Sequence, residues 1–302
     1  MKYFFITVEI TNTSIIYYTM SSQQHLARQN QHPRDKHIHF DEGPHKYTIT
    51  GIDPQTDDFT SVTTLVHQQF EQFDAKNIIA GMMRSKKWND PVANIKYYGK
   101  TAEEIEKMWS TAGKDAAAKG TAMHHNIECF YNQSQIQADA DADAPEIQQF
   151  MKFHEDFSAS LKPYRTEWTI FHEEARIAGS IDMVYELIDP AATAALGGSD
   201  TPLVIYDWKR CREISRTHPL FRFATHPAIE HIPDSNYWHY ALQLNIYKYI
   251  LQTKYDKTVT DLFLVVLHPD AKKYNRIKLP DLQREVSELF EERIRRFAPV
   301  SA

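Results

Sequence analysis

The chain has 302 residues, 42% hydrophobic and 25% charged, with nine glycines and fourteen prolines. That is enough apolar material for one large domain or two small ones, and it excludes collagen-like, coiled-coil and wholly disordered chains. Two cysteines, Cys129 and Cys211, cannot build a disulfide framework, a four-thiolate zinc site or a cysteine-ligated iron–sulfur cluster, and they point to a reducing, intracellular compartment. Thirty-four Lys and Arg against forty Asp and Glu leave a net charge of −6, so a nucleic-acid partner would need a local basic groove.

In chain order, the apolar start MKYFFI is broken by Glu9, Thr11 and Asn12, which argues against a signal peptide. No run approaches the ~18 apolar residues of a membrane span. Residues 1–36 are expected to form a poorly ordered arm, with Met1 and Met20 both open as starts. From His37 a single domain is expected to run to residue 302, with a hairpin and helical region over 37–115 and a catalytic core over 116–302. HIHFDEGPHKYTI alternates around Glu42-Gly43-Pro44 as a hairpin. Asp74 can cap a helix to about Trp88. Thr101-x-x-Glu104 is a capping-box pattern, and a further helix is expected over about 115–132, followed by the acidic loop QADADADAP. From Tyr164 the period becomes that of strands, over 165–172, 176–187 and 203–209, with an Ala/Gly/Ser-rich linker at 189–202. A helix at 236–252, a strand at 261–268 and an amphipathic helix at 282–298 complete the chain.

Several motifs fail. Gly99-Lys100-Thr101 lacks the earlier glycine of a phosphate-binding loop, because position 94 is Asn. His124-His125 with Glu128 has neither zinc-hydrolase order, and no G-x-S-x-G or G-x-G-x-x-G occurs.

Of three D-x-K tripeptides, only Asp207-Trp208-Lys209 ends a buried-type strand, LVIYDWK. A period of two sends Asp207 and Lys209 to the face of Leu203 and Ile205, where a carboxylate and an ammonium are costly unless paired or used. An ordinary strand-end ion pair is the plain alternative. Earlier, RIAGSIDMVYEL carries Asp182 into an apolar strand, on the opposite parity from Ile177, Ile181 and Met183. Two hard oxygen ligands on adjacent strands can hold Mg²⁺ or Mn²⁺, and a neighbouring lysine can orient or deprotonate water. Gly179 permits close approach of another group, or marks a bulge. His124 and Glu128 share a helix face, and an imidazole among carboxylates favours Mn²⁺. Gln243 and Tyr247 form a polar i, i+4 pair on an apolar helix that either meets a partner or edges the surface.

The order G-x-x-x-H (Gly120, His124), G-x-x-D (Gly179, Asp182), D-x-K (Asp207, Lys209) and Q-x-x-x-Y (Gln243, Tyr247) resembles the RecB-type branch of the PD-(D/E)XK nuclease superfamily. Ser61-Val62-Thr63 is similar to an upstream motif of the same branch. The resemblance spans residues 120–250 and extends to about residue 60. It implies an α/β fold of restriction-endonuclease type, a central mixed sheet flanked by helices with a helical N-terminal region. It also implies His124, Asp182 and Asp207 as metal ligands with the carbonyl of Trp208, Lys209 as the catalytic lysine, and Gln243 and Tyr247 beside the site, positioning the substrate strand or the lysine. Ser61 and Thr63 would join the substrate-binding residues. Glu167 occupies a place where relatives often carry a glutamate, and Glu128 is a further candidate. Mg²⁺ or Mn²⁺ is the expected cofactor. An iron–sulfur cluster is not expected, since relatives that carry one use four thiols. No helicase motor is encoded, so unwinding would fall to a separate helicase or replication protein.

Lys209, Arg210, Arg212, Arg216 and Arg222 face one acid, Glu213, within the same segment, which supplies the local basic groove, with Arg210 and Arg212 as substrate contacts. Lys76, Arg84, Lys86, Lys87, Lys272, Lys273 and Arg276 are further candidates. The expected activity is hydrolysis of single-stranded or free-ended DNA in replication, recombination or repair. A nuclease-fold protein that binds DNA or a replication partner without cutting, and a metal-dependent hydrolase of free nucleotides, are the rivals.

Overall fold

The computed structural model describes residues 25–52, 58–133, 144–195, 197 and 201–298. The apolar start, Met20 and most of the acidic loop lie outside the described residues. A short helix α1 (His25–Gln29) precedes the hairpin β1 (Ile38–Asp41) and β2 (Lys46–Ile49), paired from Ile38↔Ile49 to Asp41↔Lys46. Next come β3 (Thr60–Ser61), α2 (Val62–His67), α3 (Ala75–Met83), α4 (Ala102–Tyr131) and α5 (Pro145–Phe157). Then follow β4 (Leu161–His172), β5 (Ile177–Leu187), α6 (Pro190–Ala195), β6 (Leu203–Lys209), α7 (Asn236–Lys254), β7 (Val259–Val266), β8 (Asn275–Lys278) and α8 (Gln283–Phe297).

The architecture is α/β, a mixed central sheet with helices on both faces. β5 is its organising strand. Along one side it pairs antiparallel with β4 over nearly its whole length. Its other side is divided: β3 lies parallel to residues 177–178, and β6 lies antiparallel to 183–186. β7 then pairs parallel to β6, and β8 antiparallel to β7. Ile205 of β6 packs under α2, α7 and α8 with Leu65, Leu242 and Phe290, while Tyr206 and Trp208 pack under α4 and α5 with Ile127, Phe150 and Phe153. This alternation follows from the period of two in LVIYDWK.

Three expectations change. The two helices expected around 101–132 are one helix of 30 residues, about 45 Å long at 1.5 Å per residue. Its middle, residues 110–119, is exposed on every face, and alanines with no proline let it run on through Gly113. The helix from Asp74 stops at Met83 rather than Trp88. The arm expected over 1–36 does not extend that far, because residues 25–36 are docked on β4. Leu26 is buried and its N–H donates to Asn132 Oδ1 at 3.1 Å, while Asp35 accepts from Arg165 at 2.7 Å and from Trp168 Nε1 at 3.0 Å.

Candidate active site

The divided side of β5 builds the site. Between the β3 and β6 pairings, residues 179–182 have no strand partner on that side among the described residues, and side chains take the place of a strand. Asp182 Oδ2 accepts the Trp208 N–H at 3.0 Å, so a carboxylate stands where a ladder carbonyl would otherwise be. At Gly179 a Cβ would come within 2.8 Å of Tyr247 Cε1 and 2.9 Å of Val62 Cγ2. Only glycine lets the α7 tyrosine and the first residue of α2 close over the gap.

Across that gap the expected ligands converge. His124 Nε2 lies 2.8 Å from the Trp208 carbonyl and Nδ1 lies 3.4 Å from Asp182 Oδ2. A carbonyl only accepts, so Nε2 carries the proton in that contact. The Trp208 carbonyl is therefore engaged by His124. Asp207 is buried, with Oδ2 2.6 Å from Lys209 Nζ in an ion pair. Lys209 also lies over the Tyr240 ring, 4.8 Å from its centre. Burial would lower the lysine, but the carboxylates of Asp207 and Asp182 outweigh it and hold the ammonium protonated above its ordinary range. A lysine so held can orient a neighbouring group or stabilise negative charge.

Gln243 and Tyr247 are buried rather than at a helix edge. Gln243 Nε2 lies 3.4 Å from Asp207 Oδ1 and 3.3 Å from the Tyr247 hydroxyl. Gln243 thus holds Asp207, and Tyr247 holds Gln243.

Glu167 joins the cluster, its ligand oxygen within 4.8 Å of those of His124 and Asp182. Its backbone has φ 42°, a left-handed value that costs a non-glycine residue roughly 1–3 kcal/mol and is found where surroundings enforce it. Ser180 Oγ donates to its Oε2 at 2.9 Å. Opposite this kink β5 changes faces: Ile181 packs with the α7 layer and Met183 with the α4 layer, so the common parity read for Ile181 and Met183 is corrected. Burial, then the charges of Asp182 and Glu128, push the Glu167 carboxyl up to about 8. Burial and then Asp182 push Asp207 up to about 7 against the opposing pull of Lys209. Burial, then Glu42, pushes Glu128 up to about 7.

A divalent cation fits these donors. His124, Glu167 and Asp182 offer ligand atoms within 4.8 Å of one another, and Asp207 lies buried nearby in its ion pair with Lys209. Carboxylates with one imidazole suit Mg²⁺ or Mn²⁺.

Three arginines of the basic run after β6 are paired with acids. Arg210 pairs with Glu146, Arg212 with Asp270 at 2.6 Å and Arg222 with Glu71 at 2.9 Å, while Arg216 stacks on Tyr237 at 4.4 Å. Arg276 is held by the Tyr206 hydroxyl at 2.6 Å and stacks on Phe263. Ser61 is the N-cap of α2, accepting from Thr64 N at 3.1 Å with Thr63 Oγ1 also 3.1 Å away. Val62 between them seats this turn beside Gly179. Tyr240 was not anticipated, although Tyr240, Gln243 and Tyr247 recur at i, i+3 and i+7, a face the helix period could have disclosed. Glu42 carried no such signal.

No protein-family model matches the chain, and no curated protein matches it significantly. Among solved structures, one named "Putative exonuclease" from Eubacterium rectale is 10% identical, with a TM-score of 0.37, over 82% of this chain and 86% of that one. Another, SSO0001, is 11% identical with a TM-score of 0.26, over 82% of this chain and 78% of that one. At such scores the likeness decides nothing about the chemistry, which rests on the geometry above. Among the described residues no helix is long and apolar enough to cross a membrane.

Proposed function

We propose that this chain is a divalent-metal-dependent deoxyribonuclease of the PD-(D/E)XK type, an exonuclease acting on single-stranded or free-ended DNA in replication, recombination or repair. The observation that carries the reading is the grouping of His124, Glu167 and Asp182 within 4.8 Å of one another at the divided side of β5, with the buried Asp207–Lys209 ion pair on the adjoining strand. His124, Asp182, Asp207 and Glu167 would hold the cation, which when bound polarises a phosphodiester and makes water more acidic. Lys209 places a fixed positive charge where negative charge grows on the phosphate, a form of stabilisation that costs no reorganisation. Gln243 and Tyr247 keep Asp207 oriented toward it. Water adds at phosphorus as the bond to the 3′-oxygen breaks, leaving a 5′-phosphate and a 3′-hydroxyl. The pairing of Arg210, Arg212 and Arg222 with acids favours the rival nucleotide hydrolase, whose small substrate needs no basic groove.

The test is incubation of the purified chain and Lys209→Ala with end-labelled linear and closed circular single-stranded DNA, and with free nucleotides, in Mg²⁺, Mn²⁺ or EDTA. Metal-dependent loss of linear DNA alone, absent in the variant, is expected. Cutting of circles replaces exonuclease by endonuclease action. Preference for nucleotides, or no hydrolysis with either metal, overturns the reading.

A further inference from the structure

The paired cations after β6 leave open what meets the substrate backbone. Beside β4, which pairs with β5 alone, lies a cleft of about 910 Å³. Arg165, Thr166, Glu167 and Thr169 of β4 form one wall, and the segment from Ala27 to Lys36 forms the other. Glu128 lines it too, so the cleft reaches the acids of the proposed site. The walls are fixed to one another. Asn30 Nδ2 donates to the Tyr164 carbonyl at 2.8 Å, Arg165 donates to the Asn30 carbonyl at 2.9 Å, and Asn132, which accepts from Leu26, donates to Thr166 Oγ1 at 2.7 Å.

Arg28 and Lys36 line this cleft, both exposed, and among the described residues neither is ion-paired. This sets them apart from Arg210, Arg212 and Arg222. Arg165, with a side chain only 7% exposed, also lines it, and its buried Nε donates to nothing. A polyanion is the ligand that can engage cations on one wall while presenting another of its phosphates to a metal-binding acid cluster on the other. The volume is that of a small-ligand site, room for a few unpaired nucleotides.

Resting on the nuclease reading, we infer that this cleft is the path of a single polynucleotide strand to the active site, with Arg28 and Lys36 gripping its phosphates. Neither position belongs to the motifs that carried the family resemblance, and both lie in the segment expected to be an arm. The grip adds positive charge that the net balance of the chain withholds.

The test is fluorescence anisotropy of a labelled twelve-residue oligothymidylate with the full chain in EDTA, over a range of salt. It compares wild type, the double variant Arg28→Ala/Lys36→Ala, and a charge-matched control on α8, Arg284→Ala/Arg295→Ala. For single strands each phosphate contact contributes about 0.7 to the slope of log K against log salt. The cleft variant is therefore expected to bind about 25-fold more weakly at 0.1 M salt, with a slope shallower by about 1.4, while the control follows wild type. Wild-type affinity and slope in the cleft variant overturn the path, and leave the nuclease reading standing where wild type still cuts in Mn²⁺. Equal weakening in the control overturns it as well, by reducing the effect to net charge. A wild type that neither binds nor cuts overturns both.

Discussion

Gly179→Ala tests the packing that closes the site. The new Cβ would stand 2.8 Å from Tyr247 Cε1, 2.9 Å from Val62 Cγ2 and 3.2 Å from Val62 Cβ, where unstrained carbons stay about 3.5–4.0 Å apart. Val62 and Tyr247 are 0% and 3% exposed, so neither swings into solvent, and the overlap must be relieved by moving α2 or α7. Overpacking of this kind costs about 1–3 kcal/mol. Alanine in a strand returns about 0.5–1 kcal/mol relative to glycine. The net loss is placed at about 1–2 kcal/mol, a fall of roughly 2–3 °C in Tm for a chain of this length. Urea unfolding with an unchanged m-value measures it. Adding Val62→Ala removes one of the two closest contacts, and the double-mutant cycle should show about 0.5–1 kcal/mol of favourable coupling. Gly179→Ala with wild-type stability, or strictly additive effects, would refute the argument that this glycine exists to admit Tyr247 and Val62.

Other outcomes follow from the same physics. Glu167→Gln should stabilise the metal-free protein, because a carboxyl pushed up to about 8 costs the folded state stability whenever it ionises above its unfolded value. The gain at pH 7 is about 1–3 kcal/mol at 1.36 kcal/mol per pKa unit, and the rise in Tm that Mn²⁺ gives wild type should shrink, as thermal melts with and without the ion will show. His172, buried at the end of β4, is pushed down to about 4 by burial and then by Lys254. Its folded value lies below the unfolded one, so its stability is present above about pH 6.5 and lost as pH falls toward 4, by up to about 3 kcal/mol. His172→Asn, which keeps an acceptor for the Ala175 N–H, should flatten stability against pH in that window. Thr101→Ala removes the capping box in which Thr101 Oγ1 accepts from Glu104 N at 3.2 Å and Thr101 N donates to Glu104 at 2.8 Å. It should cost about 1 kcal/mol, read as faster hydrogen exchange at the start of α4.

Much was legible locally. LVIYDWK folds as β6 over the residues its alternation marked, and Asp207 and Lys209 face the α7 layer with Leu203 and Ile205 because a strand has a period of two. The capping box at Thr101 and the α7 helix were legible for the same reason, since caps and periodicity are written within one element. What no local pattern held was set by contacts between distant segments. Arg210 finds Glu146, 64 positions away, which turns a basic run into paired charge. Glu167 takes a left-handed φ, and β5 changes faces opposite it, where two sheet neighbours part. Residues 25–36 look like a polar arm in sequence, yet they dock because Asp35 and Asn30 find Arg165 and Tyr164 on β4. A sequence determines what each residue prefers along its own strand or helix; which charge meets which is decided only when the sheet brings those elements together and removes the water that would have served them all equally.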